Sequence, residues 1–339
     1  MKASRICQRA LVLAIAGLTV GITACSSGPS ASSAAGSGSS GAPELSSITI
    51  GVLPTADSVT LQIAQDKGFF KQQGFTNVKF IDMTTTNQAT TGLLSHTMDF
   101  GMENYVGMFE AEKSVPDLNL RIVADNTQAS PDDFVLLVSK NSKLTSISQL
   151  KGKKVSFPAP GFNFGAMALD VLLAPYHMSS ADVTSVVLPF SGAQQALAKG
   201  EVDAAFTTEP FITAAEAAAG DRVLVDMMSG PLTGFPQSCW GTTASFTQKY
   251  PKTVAAFQRA MGEANQVAAT DPNYVRSELP KFIPTMSAAI AKVITLDTWN
   301  TTLSLTRMER VADTIERLGE LPKNFDVKAI YDPLAGSAS

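Results

Sequence analysis

The stretch Leu93-Leu94-Ser95-His96-Thr97-Met98-Asp99-Phe100-Gly101 is matched in pattern by Leu197-Ala198-Lys199-Gly200-Glu201-Val202-Asp203-Ala204-Ala205. Each copy reads as a helix end, a tight turn, an aspartate and the start of a strand, so the chain is expected to build two regions on one plan. Gly200 supplies the left-handed residue that stops a helix, and His96 takes that place in the first copy, which His tolerates better than most residues. His96 is therefore expected to be structural, since Gly200 takes its place in the second copy and no second His accompanies it in either.

Around this repeat the sequence alternates strand-like and helix-like stretches, the pattern of an α/β protein with largely parallel sheets. Strands are expected at Ile48–Leu53, Val78–Ile81, Met98–Met102 and Leu120–Ala124, with helices between them. Phe134–Val138 is a continuous apolar run suited to a strand buried on both faces. The same grammar then restarts through Lys153–Phe157, Ser185–Leu188, Ala204–Phe206 and Val223–Val225, and Trp240–Ala244 reads as a returning strand. From Phe246 onward the pattern is helical, with breaks expected at Pro251, Pro272, Pro280 and Pro284.

The first 24 residues carry a different message. Lys2, Arg5 and Arg9 precede the uncharged apolar stretch Ala10–Ala24, which ends in small residues before Cys25. The stretch is shorter than the roughly 20 residues that span a bilayer. Its ending, Ile22-Thr23-Ala24-Cys25, resembles a bacterial lipobox, which implies cleavage after Ala24 and a lipid on the Cys25 sulfur. Residues 1–24 are thus expected to be a signal peptide and 25–47 a lipidated cysteine with a disordered linker of Ser, Gly, Ala and Pro.

Charge and cysteines narrow the function. The whole chain has 26 basic and 30 acidic residues, net −4. Loss of Met1–Ala24 removes three basic residues and no acidic one, leaving −7, and no basic cluster interleaves with aromatics, so a nucleic-acid binder is excluded. Cys239 has no partner once Cys7 is cleaved and Cys25 lipidated, and is expected as a small buried residue. With His96 and His177 alone beyond the signal, a metal site has little to be built from, and none is expected.

Several motifs in order then resemble one family. They are Ile48–Pro54, Ile63-Ala64-Gln65-Asp66-Lys67-Gly68-Phe69-Phe70, Gly74-Phe75, Met98–Gly101, Leu150–Val155, Ala181–Val183, and Gly200–Ala204 running into Glu209-Pro210-Phe211. Together they resemble the ABC-transporter substrate-binding proteins for nitrate, sulfonates, taurine and thiamine-pyrimidine precursors. The resemblance implies a type II periplasmic-binding fold of two α/β lobes that close on a ligand by hinge motion. Lobe 1 is placed at 48–131 plus 245–339 and lobe 2 at 132–244, with Phe134–Val138 and Trp240–Ala244 as the crossings.

In open α/β sheets a ligand sits beyond the carboxyl ends of the strands. That rule selects Thr55, Asp57 and Ser58; Glu103, Asn104 and Tyr105; Gly161, Phe162, Asn163 and Phe164; Phe190 and Ser191; and Thr208 with Glu209. Gly161–Gly165 lets backbone approach a ligand that its phenylalanines stack on, or is a turn whose phenylalanines cover the cleft floor. Tyr105 and Trp240 are either further stacking residues or core aromatics. Asp57 and Glu209 read equally as local caps, which leaves Glu103 the most telling residue. None of these loops contains Lys or Arg, which favours a neutral or cationic heteroaromatic such as a pyrimidine precursor over a sulfonate, taurine or nitrate anion.

The expected function is that of a monomeric receptor for a small solute, exported and lipid-anchored on the outer face of a bacterial membrane, serving an ABC permease and ATPase. The resemblance also includes pyrimidine-biosynthetic enzymes with a bound cofactor and a histidine-rich site. The selected loops hold no histidine, and neither catalysis nor a cofactor is expected.

Overall fold

The computed structural model describes residues 41–115 and 117–334. The expected signal peptide, Cys25 and most of the expected linker lie outside the described residues.

Among the described residues eleven strands form two sheets. The first contains β1 (Ser47–Val52), β2 (Asn77–Asp82), β3 (Phe100–Asn104), β4 (Leu120–Gln128), β10 (Pro236–Thr243) and β11 (Thr298–Trp299), in the order β2-β1-β3-β10-β4-β11. The second contains β5 (Phe134–Val138), β6 (Lys154–Phe157), β7 (Thr184–Val187), β8 (Ala204–Thr208) and β9 (Arg222–Asp226), in the order β7-β6-β8-β5-β9. In each sheet three strands run parallel, and the next is antiparallel to both its neighbours. That antiparallel strand, β10 or β5, is the one that has just arrived from the other sheet.

The repeat seen in the sequence is an identical joint in both sheets. Asp99 donates its amide to the Thr49 carbonyl at 2.8 Å, and its Oδ2 accepts the Thr49 amide at 2.7 Å. Asp203 does the same to Lys154, at 2.8 and 2.9 Å. Each aspartate thereby fixes the register of two parallel strands where the second begins. His96 and Gly200 both sit at positive φ, 56° and 68°.

Several expectations shift. Phe134–Val138 is a strand wholly buried on both faces, as its composition requires, but it lies inside the second sheet, and Trp240–Ala244 lies largely within β10 of the first. The passages between sheets are instead residues 129–133 and 227–235, so 236–243 belongs with the first sheet and not with 132–235. The linker read as reaching Ser47 ends sooner: Glu44 accepts hydrogen bonds from the Lys252 and Thr253 amides, and Ser47 already pairs with Asn77. Pro251 and Pro272 open helices, where a missing N–H costs nothing, and Pro280 is accommodated inside the helix Pro272–Phe282.

The C-terminal helices complete the first sheet's core. Phe257, in the helix Pro251–Thr270, stacks on Phe100 of β3 with ring centres 3.9 Å apart, and Trp240 meets it edge-on at 5.9 Å. Cys239 is buried and unpaired, and burial pushes its thiol well above the ordinary range, leaving it a packing residue rather than a nucleophile.

Candidate functional site

The carboxyl ends of the parallel strands of both sheets face one cavity of about 480 Å³. Leu53, Thr55 and Asp57 enter it after β1, Thr84–Thr86 after β2, and Glu103 and Asn104 from the end of β3. Opposite them are Pro158–Asn163 after β6, Phe190 after β7 and Thr208 at the end of β8. The strands that follow the passages contribute Phe134 at the start of β5, and Gln237 and Ser238 from β10.

The two walls differ in chemistry. The second sheet supplies an aromatic wall, in which Phe134 and Phe206 are stacked at 5.3 Å and Phe164 meets Phe134 edge-on at 5.2 Å. Phe190 closes the group at 6.2 Å from Phe206. This wall depends on Gly165, where a Cβ would come within 2.7 Å of the Phe206 ring and 2.8 Å of the Phe157 ring. The first sheet supplies a hydroxyl and acid wall: Thr84, Thr85, Thr86, Thr90 and Thr91, with Glu103, Asp57 and Glu110. None of the residues lining the cavity is Lys or Arg.

Glu103 is the most buried acid of this wall, 2% exposed. Its Oε1 accepts the Thr90 hydroxyl at 2.7 Å. Burial pushes its carboxyl up to about 8, against the opposing pull of the Thr90 hydrogen bonds, so it is mostly protonated at neutral pH. Burial also raises Asp57, which hydrogen bonds from Thr55 and Ser238 oppose. Asp133 and Asp297 stand well above the carboxylate range through burial, each further raised by the charge of Asp57.

Two helix N-termini at the cavity are occupied by asparagine side chains, whereas those of the helices Asn87–Leu94 and Phe190–Lys199 carry no side-chain cap. Asn104 Oδ1 accepts the Gly107 amide at 2.7 Å, and Asn163 Oδ1 accepts those of Gly165 and Ala166 at 3.0 and 3.1 Å. These are amides that would otherwise hold an anion.

Of the residues selected from sequence, Thr55, Asp57, Glu103, Asn104, Gly161, Phe162, Asn163, Phe164 and Thr208 meet in this cavity. Five do not. Ser58 is fully buried with its hydroxyl directed at the Met102 sulfur, and Tyr105 and Trp240 are core aromatics with no exposed surface. Ser191 lines a smaller separate cavity with Thr207 and Gln194. Glu209 turns away to cap the helix Phe211–Ala219, accepting the Thr213 amide and hydroxyl at 3.1 and 2.7 Å. Sequence reading missed Thr84–Thr91, although the loop after β2 obeys the same strand-end rule. Phe190, selected beside Ser191 at the same strand end, does line the cavity, but Phe206, Phe134, Gln237 and Ser238 escape the rule, since only the pairing of the sheets brings them here.

Comparison with known proteins agrees with this architecture. The alkanesulfonate-binding protein SsuA from Xanthomonas axonopodis pv. citri superposes with a TM-score of 0.72 at 19% identity, covering 86% of this chain and 99% of that one. The periplasmic nitrate-binding protein NrtA from Synechocystis PCC 6803 gives 0.68 at 16% identity, covering 86% of each. The fold is therefore that of the periplasmic binding proteins. Among curated proteins, the 4-amino-5-hydroxymethyl-2-methylpyrimidine phosphate synthase THI13 of Saccharomyces cerevisiae is 23% identical over 246 residues, 69% of this chain and 70% of that protein. The NMT1/THI5-like family profile matches residues 55–274, from the first loop of the cavity into the C-terminal helices. This chain belongs to the NMT1/THI5-like family.

Proposed function

We propose that the chain is an extracytoplasmic receptor for a small neutral or cationic heteroaromatic solute, of the pyrimidine-precursor kind, that delivers it to an ABC permease and ATPase. The observation that carries this reading is the cavity: an aromatic wall facing an acid and hydroxyl wall, with no basic side chain lining it. A planar ring stacks on the first and hydrogen-bonds to the second. A sulfonate or nitrate would find no counter-charge, and the amides at Asn104 and Asn163 are taken.

In this reading residues 129–133 and 227–235 are the crossings about which the two sheets open and close, and the cavity is the cleft between lobes. Cys25, lipidated, tethers the receptor to the outer face of the membrane and raises its effective concentration at the permease. The name of the curated relatives favours an enzyme instead. Against that, His96 and His177 both sit exposed in left-handed turns and neither lines the cavity.

The test is a thermal-shift panel on the full-length protein with pyrimidines, aromatic amines, alkanesulfonates and nitrate, since a ligand that binds only the native state raises its melting temperature. Stabilisation by heteroaromatic bases alone supports the proposal. Stabilisation by sulfonates or nitrate alone refutes it.

A further inference from the structure

The cavity's unsatisfied polar atoms share one character. Glu110 Oε1 and Gln237 Oε1 are buried without a hydrogen-bond partner, and both residues line the cavity. Glu103 uses Oε1 for Thr90, and its Oε2 takes part in no side-chain hydrogen bond among the described residues. Glu110 and Gln237 thus present acceptors, and Glu103 presents a carboxyl that can donate as well as accept. The buried unpartnered hydroxyl and indole groups, Tyr105, Ser156, Thr207 and Trp240, belong to residues that do not line the cavity. A buried acceptor left unpaired is costly, so the complementary solute is one that brings N–H donors.

We propose, on the receptor reading above, that Glu103 is the specificity-determining residue and pairs with the N–C–N edge of an amino-substituted heteroaromatic base. The two contacts are complementary. Glu103 Oε2 meets the ring nitrogen with the carboxyl proton between them, and Oε1, which retains a second lone pair beside Thr90, accepts an N–H of the adjacent amine. The proton moves from Oε2 toward the ring nitrogen and no other proton is needed, so a neutral acid and a neutral base become a carboxylate and a ringed cation held together.

The titratable groups around Glu103 are a thiol, two other acids and one engaged cation. Across the β3–β10 ladder it faces Cys239, whose thiol stays protonated; Asp57 and Glu110 are the other acids of the wall, and Lys113, the nearest cation on the helix Tyr105–Ser114, is bound to Glu110 at 2.6 Å. Thr90 is its only partner on the helix Asn87–Leu94. Burial holds the proton on Glu103 up to about pH 8. Below that pH a neutral base binds without net proton exchange. Above it, binding must take a proton from solvent, and affinity falls toward tenfold per pH unit.

The experiment is calorimetric titration of the full-length protein between pH 6 and about 9.5, with 4-amino-5-hydroxymethyl-2-methylpyrimidine and the same ring lacking its amine as probes. Removal of the amine is expected to weaken binding at least about tenfold. Glu103→Gln, which offers a donor and an acceptor in the same places, should stay within about tenfold of wild type at pH 7 and lose the alkaline decline. Glu103→Leu should lose about a hundredfold, with the melting temperature of each variant reporting that it is folded. Binding of the aminopyrimidine that is flat to pH 9.5 and unchanged in Glu103→Leu overturns the inference while leaving the receptor reading intact. Failure of every heteroaromatic base to bind folded wild-type protein overturns both.

Discussion

The main-chain amide of Ala56 donates a 3.2 Å hydrogen bond to the main-chain carbonyl of Glu209, joining the loop after β1 to the end of β8. The Glu209 side chain reinforces the joint, because Oε1 also accepts the Thr295 amide at 3.3 Å from the C-terminal part of the chain. Glu209→Ala removes the cap of the helix Phe211–Ala219 and this second bond together. It is expected to cost about 1–3 kcal/mol of stability, measured by urea unfolding, with Glu209→Gln recovering part of the loss.

The stability of the empty protein should fall as pH rises. Glu103 binds its proton more tightly folded, at about 8, than in an unfolded chain near its ordinary 4.5, so its contribution is complete below pH 4.5 and is lost as pH rises through 8. Glu103→Gln cannot ionise. Its unfolding free energy should match wild type near pH 5 and exceed it at pH 8–9, and a variant that loses stability over this range as steeply as wild type would contradict the assignment.

Asn163 is expected to act as a plug. Asn163→Ala frees the Gly165 and Ala166 amides, at a cost of about 1 kcal/mol in cap energy. The variant should acquire weak, roughly millimolar binding of methanesulfonate or sulfate that wild type lacks, read by calorimetry. Equal anion binding in both proteins would show that the amide occupancy has no bearing on charge selection.

Gly165→Ala places a methyl against the Phe206 and Phe157 rings at separations that real side chains do not adopt. Overpacking of this kind costs about 1–3 kcal/mol. Since Phe206 is part of the aromatic wall, the same change should weaken ligand binding even in molecules that remain folded. Unfolding and titration on one preparation separate the two effects.

What sequence could reveal depended on whether the signal was local. The Asp99 and Asp203 joints, the left-handed His96 and Gly200, and the strand Phe134–Val138 were legible because each is written in consecutive residues. The sheet membership of that strand and of β10 was not, since both are inserted by long-range pairing. In the same way Glu103 and Asn163 follow from a rule about strand ends, whereas Tyr105, one residue past β3, points into the core because the helix beginning there turns it inward. Gln237 and Phe134 enter the cavity only as consequences of the passages, which carry no motif.

The exchanged strands also set an order of assembly. β10 lies between β3 and β4, yet the ribosome makes it more than a hundred residues after either. The first sheet is therefore a gapped half until the second has been synthesised, while every strand of the second lies within 134–226 and can pair as soon as that stretch emerges. The later region is thus free to mature first, and the earlier one must wait with β3 and β4 unjoined, exposing edges that an interrupted or truncated chain would leave open to aggregation.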